Sequence, residues 1–311
     1  KRRQQGSSAS MTAGGVATLM VCNDVLNAQV FSRCSGNKLS PNIRGGLAWL
    51  EKHLGAVLAG KKSERSFGYS LYAIERAALA SGYKYFGTTD WYRAGTARAL
   101  KFQTSSGAFV IPGQFKDPIV NTCFCLLFLA RGRNPVLFNK LEFEGDWNNR
   151  PRDLANLTRY LSHTFERTLN WQVIPLKTPV REWHDAPILY LSGSKEPKFS
   201  DADLEKIRTY VRQGGTLLSA TECSGIGFHE GIHAVYAKLF PQYELAPIDK
   251  THPLYNAHFT LRGIPAISIV SNGVRPLAIH TDVDLPKEWQ LRNRVTRKWA
   301  FEMPVNLYKY V

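Results

Sequence analysis

Apolar positions recur with a helical period through the first half of the chain. Segments 12–22, 69–82 and 121–132 are small and apolar on nearly all faces, which predicts three buried helices. Amphipathic segments at 43–54 and 90–102 predict two further helices between them. The three apolar segments start about 50 residues apart, and a fixed period of paired helices is typical of a helical repeat array.

From residue 136 the pattern changes to short apolar runs that alternate with amphipathic segments. The runs that predict strands are 136–143, 171–176, 186–192, 216–220, 243–247, 267–270, 275–281 and 305–311. The segments that predict helices are 151–165, 200–212, 229–240 and 287–299. Such alternation predicts a mostly parallel sheet with helices on both faces. We therefore divide the chain into a leader (1–10), a helical domain (11–135) and an α/β domain (136–311).

One strand, turn and helix between residues 216 and 240 carries most of the candidate chemistry. Ligands of open α/β sheets usually bind where strands end, so we expect a ligand crevice at the turn that follows residue 220. Its predicted ligand-binding residues are Thr221, Ser224 and Gly225 in this turn. Asp282, which follows the later strand 275–281, is expected to join them, and there a cation site and a simple turn both fit the acidic side chain.

Cys223 is a candidate nucleophile because it lies in this turn. Amides at a helix start can lower the pKa of a thiol there and stabilise an oxyanion. Glu222 precedes it, and His252 or His280 could serve as its base. A nucleophile elbow carries glycine two residues before the cysteine, where this chain has Thr221. A catalytic cysteine and a buried structural cysteine therefore both stay open.

A second candidate is the run His229-Glu230-Gly231-Ile232-His233, which fits the pattern His-Glu-x-x-His. Histidines four residues apart on a helix face the same way and could hold zinc, with Glu230 as the base. The pattern is short, and a solvated first helical turn explains it equally well. A zinc site of this type needs a third protein ligand, and no candidate lies at the characteristic spacing from the two histidines. The available side chains are Glu222, Cys223, Glu244, His252 and His258.

Composition adds few constraints. The 311 residues carry a formal net charge of +15, spread along the chain, and no specific nucleic-acid motif. The polar leader is expected to be disordered. No stretch approaches the roughly 18 apolar residues that span a bilayer, so no transmembrane segment is expected. Five cysteines argue against a disulfide scaffold but do not distinguish a cytoplasmic from an extracytoplasmic protein.

The helical half resembles a known repeat family. Gln103, Gly107 and Phe109, together with the helix that starts Asn121-Thr-Cys-Phe-Cys-Leu, are similar to the repeats of squalene-cyclase-type terpene cyclases and protein prenyltransferases. The resemblance implies part of an α/α toroid over residues 11–135. Residues 1–140 contain neither the Asp-x-Asp-Asp acid of the cyclases nor an Asp-x-Cys zinc pair. What the resemblance implies is therefore a scaffold.

The second half resembles the bacterial domain of unknown function DUF4159. The residues that carry the resemblance are Asp146 to Asn156, Asp185 to Tyr190, Gln213 to Leu217, Leu239 to Pro241, His252 to Tyr255 and Asn306 to Tyr308. The family implies a glutamine-amidotransferase-like, flavodoxin-type fold and no established reaction. The pairing of the two halves looks like an arrangement of planctomycete-type bacteria.

These observations predict partial α/α-toroid repeats followed by a flavodoxin-like, mostly parallel sheet. The function predicted first is a non-catalytic binding or scaffold protein for an unidentified small molecule or protein, with the oligomeric state left open. No cofactor is expected on that interpretation. The alternatives are a hydrolase or amidotransferase-like enzyme at Cys223 and a zinc hydrolase at His229 and His233, for which zinc would be the cofactor.

Overall fold

The computed structural model describes residues 7–27, 29–34, 39–61, 64, 66–112, 117–131 and 134–311. The chain forms two compact units, Lys1–Leu26 with Leu39–Asn134, and Asn27–Lys38 with Pro135–Val311. The predicted division placed residues 27–38 in the helical domain, whereas the structure assigns Asn27–Lys38 to the second unit. A disulfide from Cys34 to Cys223 fastens it there. Residues 1–6 of the predicted disordered leader lie outside the described residues, and Ala9 already begins a helix.

The first unit is helical, and the five predicted helices are present. They are α1 (Ala9–Leu26), α2 (Pro41–Leu58), α3 (Phe67–Ser81), α4 (Trp91–Leu100) and α5 (Pro118–Arg131). A short antiparallel hairpin that the pattern did not predict, β1 (Tyr85–Phe86) with β2 (Thr89–Asp90), lies between α3 and α4. Ser40 caps α2 by accepting a hydrogen bond from the amide of Ile43, and Pro41 takes the first helical position.

Two of the three apolar helices are less buried than predicted. In α1 the buried positions form one stripe, Ala9, Ala13, Val16 and Met20. The other faces of α1 and of α5 expose large apolar side chains, among them Met11, Val21, Val25, Leu26, Ile119, Leu126 and Leu127. An apolar composition on all faces predicts a helix without saying which face finds a partner, and this is why the prediction of full burial was wrong.

By length and composition alone, α1 could cross a membrane. Only 22% of its 18-residue window is buried, and it lies near the N-terminus. Core helices of soluble proteins and signal sequences can have the same length and apolar composition, so one such helix is weak support for a membrane span. The described residues thus contain at most one weakly apolar helix of spanning length and no clear transmembrane segment.

The second unit is built on a seven-stranded sheet of order β4-β3-β5-β6-β9-β8-β7. Its strands are β3 (Val136–Glu142), β4 (Asn170–Pro175), β5 (Ile188–Gly193), β6 (Thr216–Thr221), β7 (Leu245–Pro247), β8 (Ser268–Ser271) and β9 (Pro276–Thr281). The first five in this order run parallel, whereas β8 and β7 are antiparallel to their neighbours. The sheet is therefore mostly parallel, as predicted.

Helices cover both faces of this sheet. They are α6 (Asp153–Thr164), α7 (Asp201–Arg212), α8 (Ile226–Leu239), α9 (Leu285–Leu291) and α10 (Lys298–Tyr310). One core contains the apolar residues of α6, α9 and α10, and the other contains those of α7 and α8. Each strand of the central pair β5 and β6 is buried along its whole length, as expected of strands covered on both faces.

The C-terminal strand predicted at 305–311 is wrong, because residues 305–310 belong to α10. Ala300 to Leu307 are all buried, and Pro304 lies inside the helix. A short run of apolar residues fits a buried strand and a buried helix equally well, so periodicity could not separate them. The predicted helix 287–299 is likewise divided between α9 and the start of α10.

Candidate functional site

The turn between β6 and α8 begins with a fully buried acid. The side chain of Glu222 accepts a hydrogen bond of 2.8 Å from Nδ2 of Asn149. Burial raises the pKa of Glu222 to about 8, and the nearby ammonium of Lys140 offsets this only in part. The carboxyl group is therefore largely protonated at neutral pH.

Beside Glu222 lies a buried ion pair. Nζ of Lys140, in β3, is 2.8 Å and 2.9 Å from the two carboxylate oxygens of Asp153 and donates to the carbonyl of Arg150. The hydroxyl of Tyr190 donates to the same carboxylate, and burial raises the pKa of Tyr190 well above its ordinary value. This ion pair was not predicted from the sequence. The sequence feature that could have indicated it is a lysine inside an apolar strand, since a buried charge needs a partner.

A disulfide and a buried arginine lie next to Glu222, at the end of β6. Cys34 and Cys223 are bonded, while Cys22, Cys123 and Cys125 are free. The fully buried Arg150 brings its Nη2 atom to 3.2 Å from the Cys34 sulfur and 3.4 Å from the Cys223 sulfur. The same Nη2 lies 2.8 Å from Oδ2 of Asp284, which also accepts the amide N–H of Cys223. Asp284 additionally caps α9.

The four residues predicted as a cysteine-based catalytic group do not come together. The sulfur of Cys223 is bonded to Cys34 and offers no thiolate in this state. His252 bonds instead to the amide of Leu254 and to the hydroxyl of Tyr310. His280, in β9, contacts Ser219 and His229. An odd number of cysteines gave no sign of the disulfide, which joins residues 189 positions apart.

Near the expected crevice, an acidic side chain bonds to the loop that follows β5. Asp146 accepts hydrogen bonds from the amides of Ser194 and Lys195 across the strand ends. Of the predicted ligand-binding residues, Thr221 is buried, whereas Ser224 and Asp282 are exposed.

The backbone of the turn is tightly constrained. Cys223 and Ser224 both have positive φ, at 59° and 53°, so the turn forms without the first glycine of an elbow. Gly225 is needed for space, since a Cβ there would lie 2.3 Å from the carbonyl oxygen of Ser194.

Three histidines from two elements meet on the sheet face under α8. His229 and His233 lie one turn apart on α8, and His280 comes from β9. One imidazole nitrogen of each lies within 4.8 Å of the others. Nδ1 of His229 is 3.1 Å from Nε2 of His280. We call these residues the three-histidine group; His280 completes the pair that the His-Glu-x-x-His spacing predicts.

Two buried hydroxyls orient His280 from behind. Oγ of Ser219, in the adjacent strand β6, is 2.8 Å from Nδ1 of His280. The hydroxyl of Tyr236 donates to this same Oγ atom. When Nδ1 of His280 carries the proton and donates to Ser219, the lone pair of Nε2 accepts the hydrogen bond of Nδ1 of His229 and is the one that a metal would use. A hydrogen bond that fixes one ring nitrogen in this way is the usual support of a metal-bound histidine.

The surroundings of the three-histidine group favour the neutral form of two of its imidazoles. Burial, with smaller contributions from His229 and His233, lowers the pKa of His280 to about 3. Burial and the nearby His229 also lower the pKa of His233. Neutral imidazole is the form that binds metals, so protons compete weakly for these two nitrogens near pH 7.

The group opens to solvent on one side. His233 lines a cleft of about 640 Å³ that continues past Ala237 and Phe240 to Glu244 and Leu245. Glu230 is exposed. Gly231 allows the helix to pack closely, because a Cβ there would lie 2.7 Å from the ring of Pro197. Glu222, Cys223, His252 and His258, also considered as third ligands, are not members of the group.

The family model for the domain of unknown function DUF4159 matches residues 137–311. The match spans the whole sheet with its five helices, and it therefore includes the three-histidine group, Arg150 and Cys223. No curated protein sequence matches the chain. Because the matched region is more than half of the 311 residues, the chain belongs to the DUF4159 family.

Proposed function

We propose that the α/β unit binds a zinc ion through His229, His233 and His280 and uses it for hydrolysis. The observation that carries this proposal is the approach of the three imidazole nitrogens to within 4.8 Å of one another. Two nitrogen ligands of a tetrahedral zinc lie about 3.3 Å apart, given Zn–N bonds of about 2.0–2.1 Å. The separation of 3.1 Å between His229 and His280 is close to that value.

The support behind the ligands favours zinc over a chance cluster. Ser219 and Tyr236 fix the His280 ring, and lowered pKa values keep His233 and His280 neutral. Imidazole is a ligand that zinc, copper, nickel and iron all accept, and three histidines with a water in the fourth position are one arrangement of catalytic zinc sites.

Three protein ligands leave a fourth position for water, which is the arrangement of hydrolytic zinc sites. Zinc bound in this way lowers the pKa of its water to about 7 and supplies a nucleophile at neutral pH. The cleft beside His233 gives a substrate access to this position. Glu230, the residue after His229, is the proposed base that takes the proton of the water.

A scaffold role at the strand ends is the second candidate, and the burial of ionisable side chains there favours it. Arg150 and Glu222 are both fully buried. We also infer that this unit is of the flavodoxin type, similar to glutamine amidotransferases, and that the helical unit derives from an α/α toroid. Five parallel strands in one sheet and the repeated helices support these two assignments.

Calorimetric titration of metal-free protein with zinc tests the proposal. One equivalent should bind per chain. His280→Ala should lower the affinity by more than about 100-fold, because loss of a ligand costs more than the 10–100-fold typical of its supporting residues. His163→Ala, at an exposed histidine on α6, is the matched control and should bind zinc like the wild type.

Hydrolysis of a simple ester such as 4-nitrophenyl acetate tests the second half of the proposal. The rate should require zinc, vanish in His280→Ala and fall in Glu230→Gln without loss of zinc. Less than one equivalent of zinc in the wild type would contradict the metal site. A full equivalent without zinc-dependent hydrolysis would reject the enzymatic role and leave a metal-binding protein.

A further inference from the structure

We propose that the Cys34–Cys223 disulfide is a redox-active site that exchanges with an external dithiol. This goes beyond the zinc proposal and does not depend on it, since neither cysteine belongs to the three-histidine group. Three observations converge on the bond: its accessibility, the cation beside it and the backbone conformation of both half-cystines.

The two half-cystine residues differ in exposure. Cys34 is exposed, whereas Cys223 is half-buried between β6 and α8. Thiol–disulfide exchange requires a thiolate to reach one sulfur in line with the bond, and access decides which sulfur is attacked. The exposed side therefore makes Cys34 the point of attack and Cys223 the leaving group.

The leaving sulfur has a cation beside it. Nη2 of Arg150 lies 3.4 Å from the Cys223 sulfur and 3.2 Å from that of Cys34, and its side chain is fully buried. A guanidinium at this distance stabilises a thiolate over a thiol, and a low-pKa thiol leaves faster. Asp284 pairs with the same guanidinium and offsets part of its charge.

The backbone at the bond is in a conformation that L-residues rarely adopt. Cys34, Cys223 and Ser224 have φ values of 55°, 59° and 53°. Such residues persist only where their surroundings hold them, and the disulfide is one of the links that hold these three. Breaking the bond lets this backbone relax, which favours the reduced form. Disulfides that are exposed or held under strain are the labile ones, in contrast to buried structural bonds.

The exchange balances as a two-electron transfer. A thiolate of the dithiol attacks the Cys34 sulfur, the S–S bond breaks, and Cys223 departs as a thiolate beside Arg150. The second thiolate of the dithiol then attacks the mixed disulfide and releases Cys34. The protein gains two electrons and holds two thiols or thiolates, and the dithiol becomes a disulfide.

Equilibration of the full chain in glutathione buffers of graded ratio tests the proposal. A chelator is present, and the reduced fraction is measured by maleimide mass tagging. The background carries Cys22→Ser and Cys123→Ser, because these free cysteines are exposed. Cys125 stays, since burial raises its pKa to about 11. We expect reversible reduction of the folded protein. Arg150→Met should lower the equilibrium constant for reduction at least tenfold, which is about 30 mV for a two-electron couple.

Arg181→Met is the matched control, since Arg181 is 82% exposed and should leave the equilibrium unchanged. If Arg150→Met does not fold, the reduced wild type provides a second measurement. Its ultraviolet thiolate absorbance should persist below the pKa of about 8.5 of a free cysteine. A bond that stays oxidised in every glutathione buffer, an unchanged equilibrium in folded Arg150→Met, or an ordinary thiol pKa would each overturn the proposal.

Discussion

The described residues of the second unit contain two groups of donor atoms that are close enough to hold a metal ion, and the two groups differ in the side chains that contact the donors. The three-histidine group offers three nitrogens, and Cys34, Cys223 and Asp284 offer two sulfurs and a carboxylate; in each group the donors lie within 4.8 Å of one another. In the sulfur group, Nη2 of Arg150 contacts both sulfurs and the carboxylate. The imidazoles contact one another and Ser219.

Donor spacing alone therefore does not identify a metal site. In the sulfur group, the guanidinium of Arg150 already supplies the positive charge that a metal ion would bring to the donor atoms. The two sulfurs are also bonded to each other. The histidines have no such charge among their hydrogen-bond partners described above, and their lowered pKa values favour the neutral form. The comparison predicts a cation at one group and a redox reaction at the other.

The largest expected effect comes from removing the arginine. Once the disulfide is reduced, Arg150→Met should bind a second zinc through Cys34, Cys223 and Asp284, because thiolates and a carboxylate then converge without a competing cation. Reduced wild type should bind one zinc. Elemental analysis after gel filtration gives the stoichiometry, and oxidised Arg150→Met serves as the control. A second zinc in the reduced wild type would break the comparison.

A smaller effect, on zinc affinity, is expected from the hydroxyl that supports His280. Ser219→Ala removes the hydroxyl that orients His280 and should lower zinc affinity about 10–100-fold. Ser192→Ala makes the same change on the neighbouring strand, outside the three-histidine group, and should leave the affinity unchanged. Calorimetry at constant pH measures both. Equal affinities for the two variants would mean that Ser219 only packs against the ring.

A third effect is on stability rather than on metal binding, and it concerns Glu222, which lies next to Cys223. Its folded pKa of about 8 exceeds the ordinary 4.5, so the protonated side chain contributes stability below pH 4.5 that is lost as pH rises through 8. Glu222→Gln keeps a neutral side chain and should gain stability relative to wild type as pH rises. The difference approaches about 1.4 kcal/mol per pH unit between these values.

Urea unfolding of Glu222→Gln and wild type at several pH values measures this difference. The use of a difference removes the opposite contribution of His280, whose lowered pKa costs stability as pH falls below 6.5. A parallel pair of stability curves would show that Glu222 ionises in the folded protein as it does in water.

Most of the fold could be predicted because its signals are local. Helical and strand periods identified five helices of the first unit and the strands of the parallel sheet. The failures have physical causes. Residues 300–307 are all buried, so no period distinguishes strand from helix there. The apolar faces of α1 and α5 predict helices but do not determine burial.

The site was only partly predictable, since its members come from distant parts of the chain. His229 and His233 share a helix, and their spacing is visible in the sequence. His280 joins them because β9 pairs with β6, with Ser219 opposite His280 in register. No spacing along the chain encodes that pairing. Likewise Cys34 lies in a segment whose partner, Cys223, is 189 residues away.

That long separation turns most of the chain into a covalent ring. A peptide bond hydrolysed anywhere between Cys34 and Cys223 leaves both fragments joined through sulfur as one particle, which has gained only a water molecule. A cut after Cys223 has no such bridge and can release the C-terminal piece. A single proteolytic nick between residues 39 and 134 would therefore stay hidden on a non-reducing gel and become visible as two bands once the disulfide is reduced.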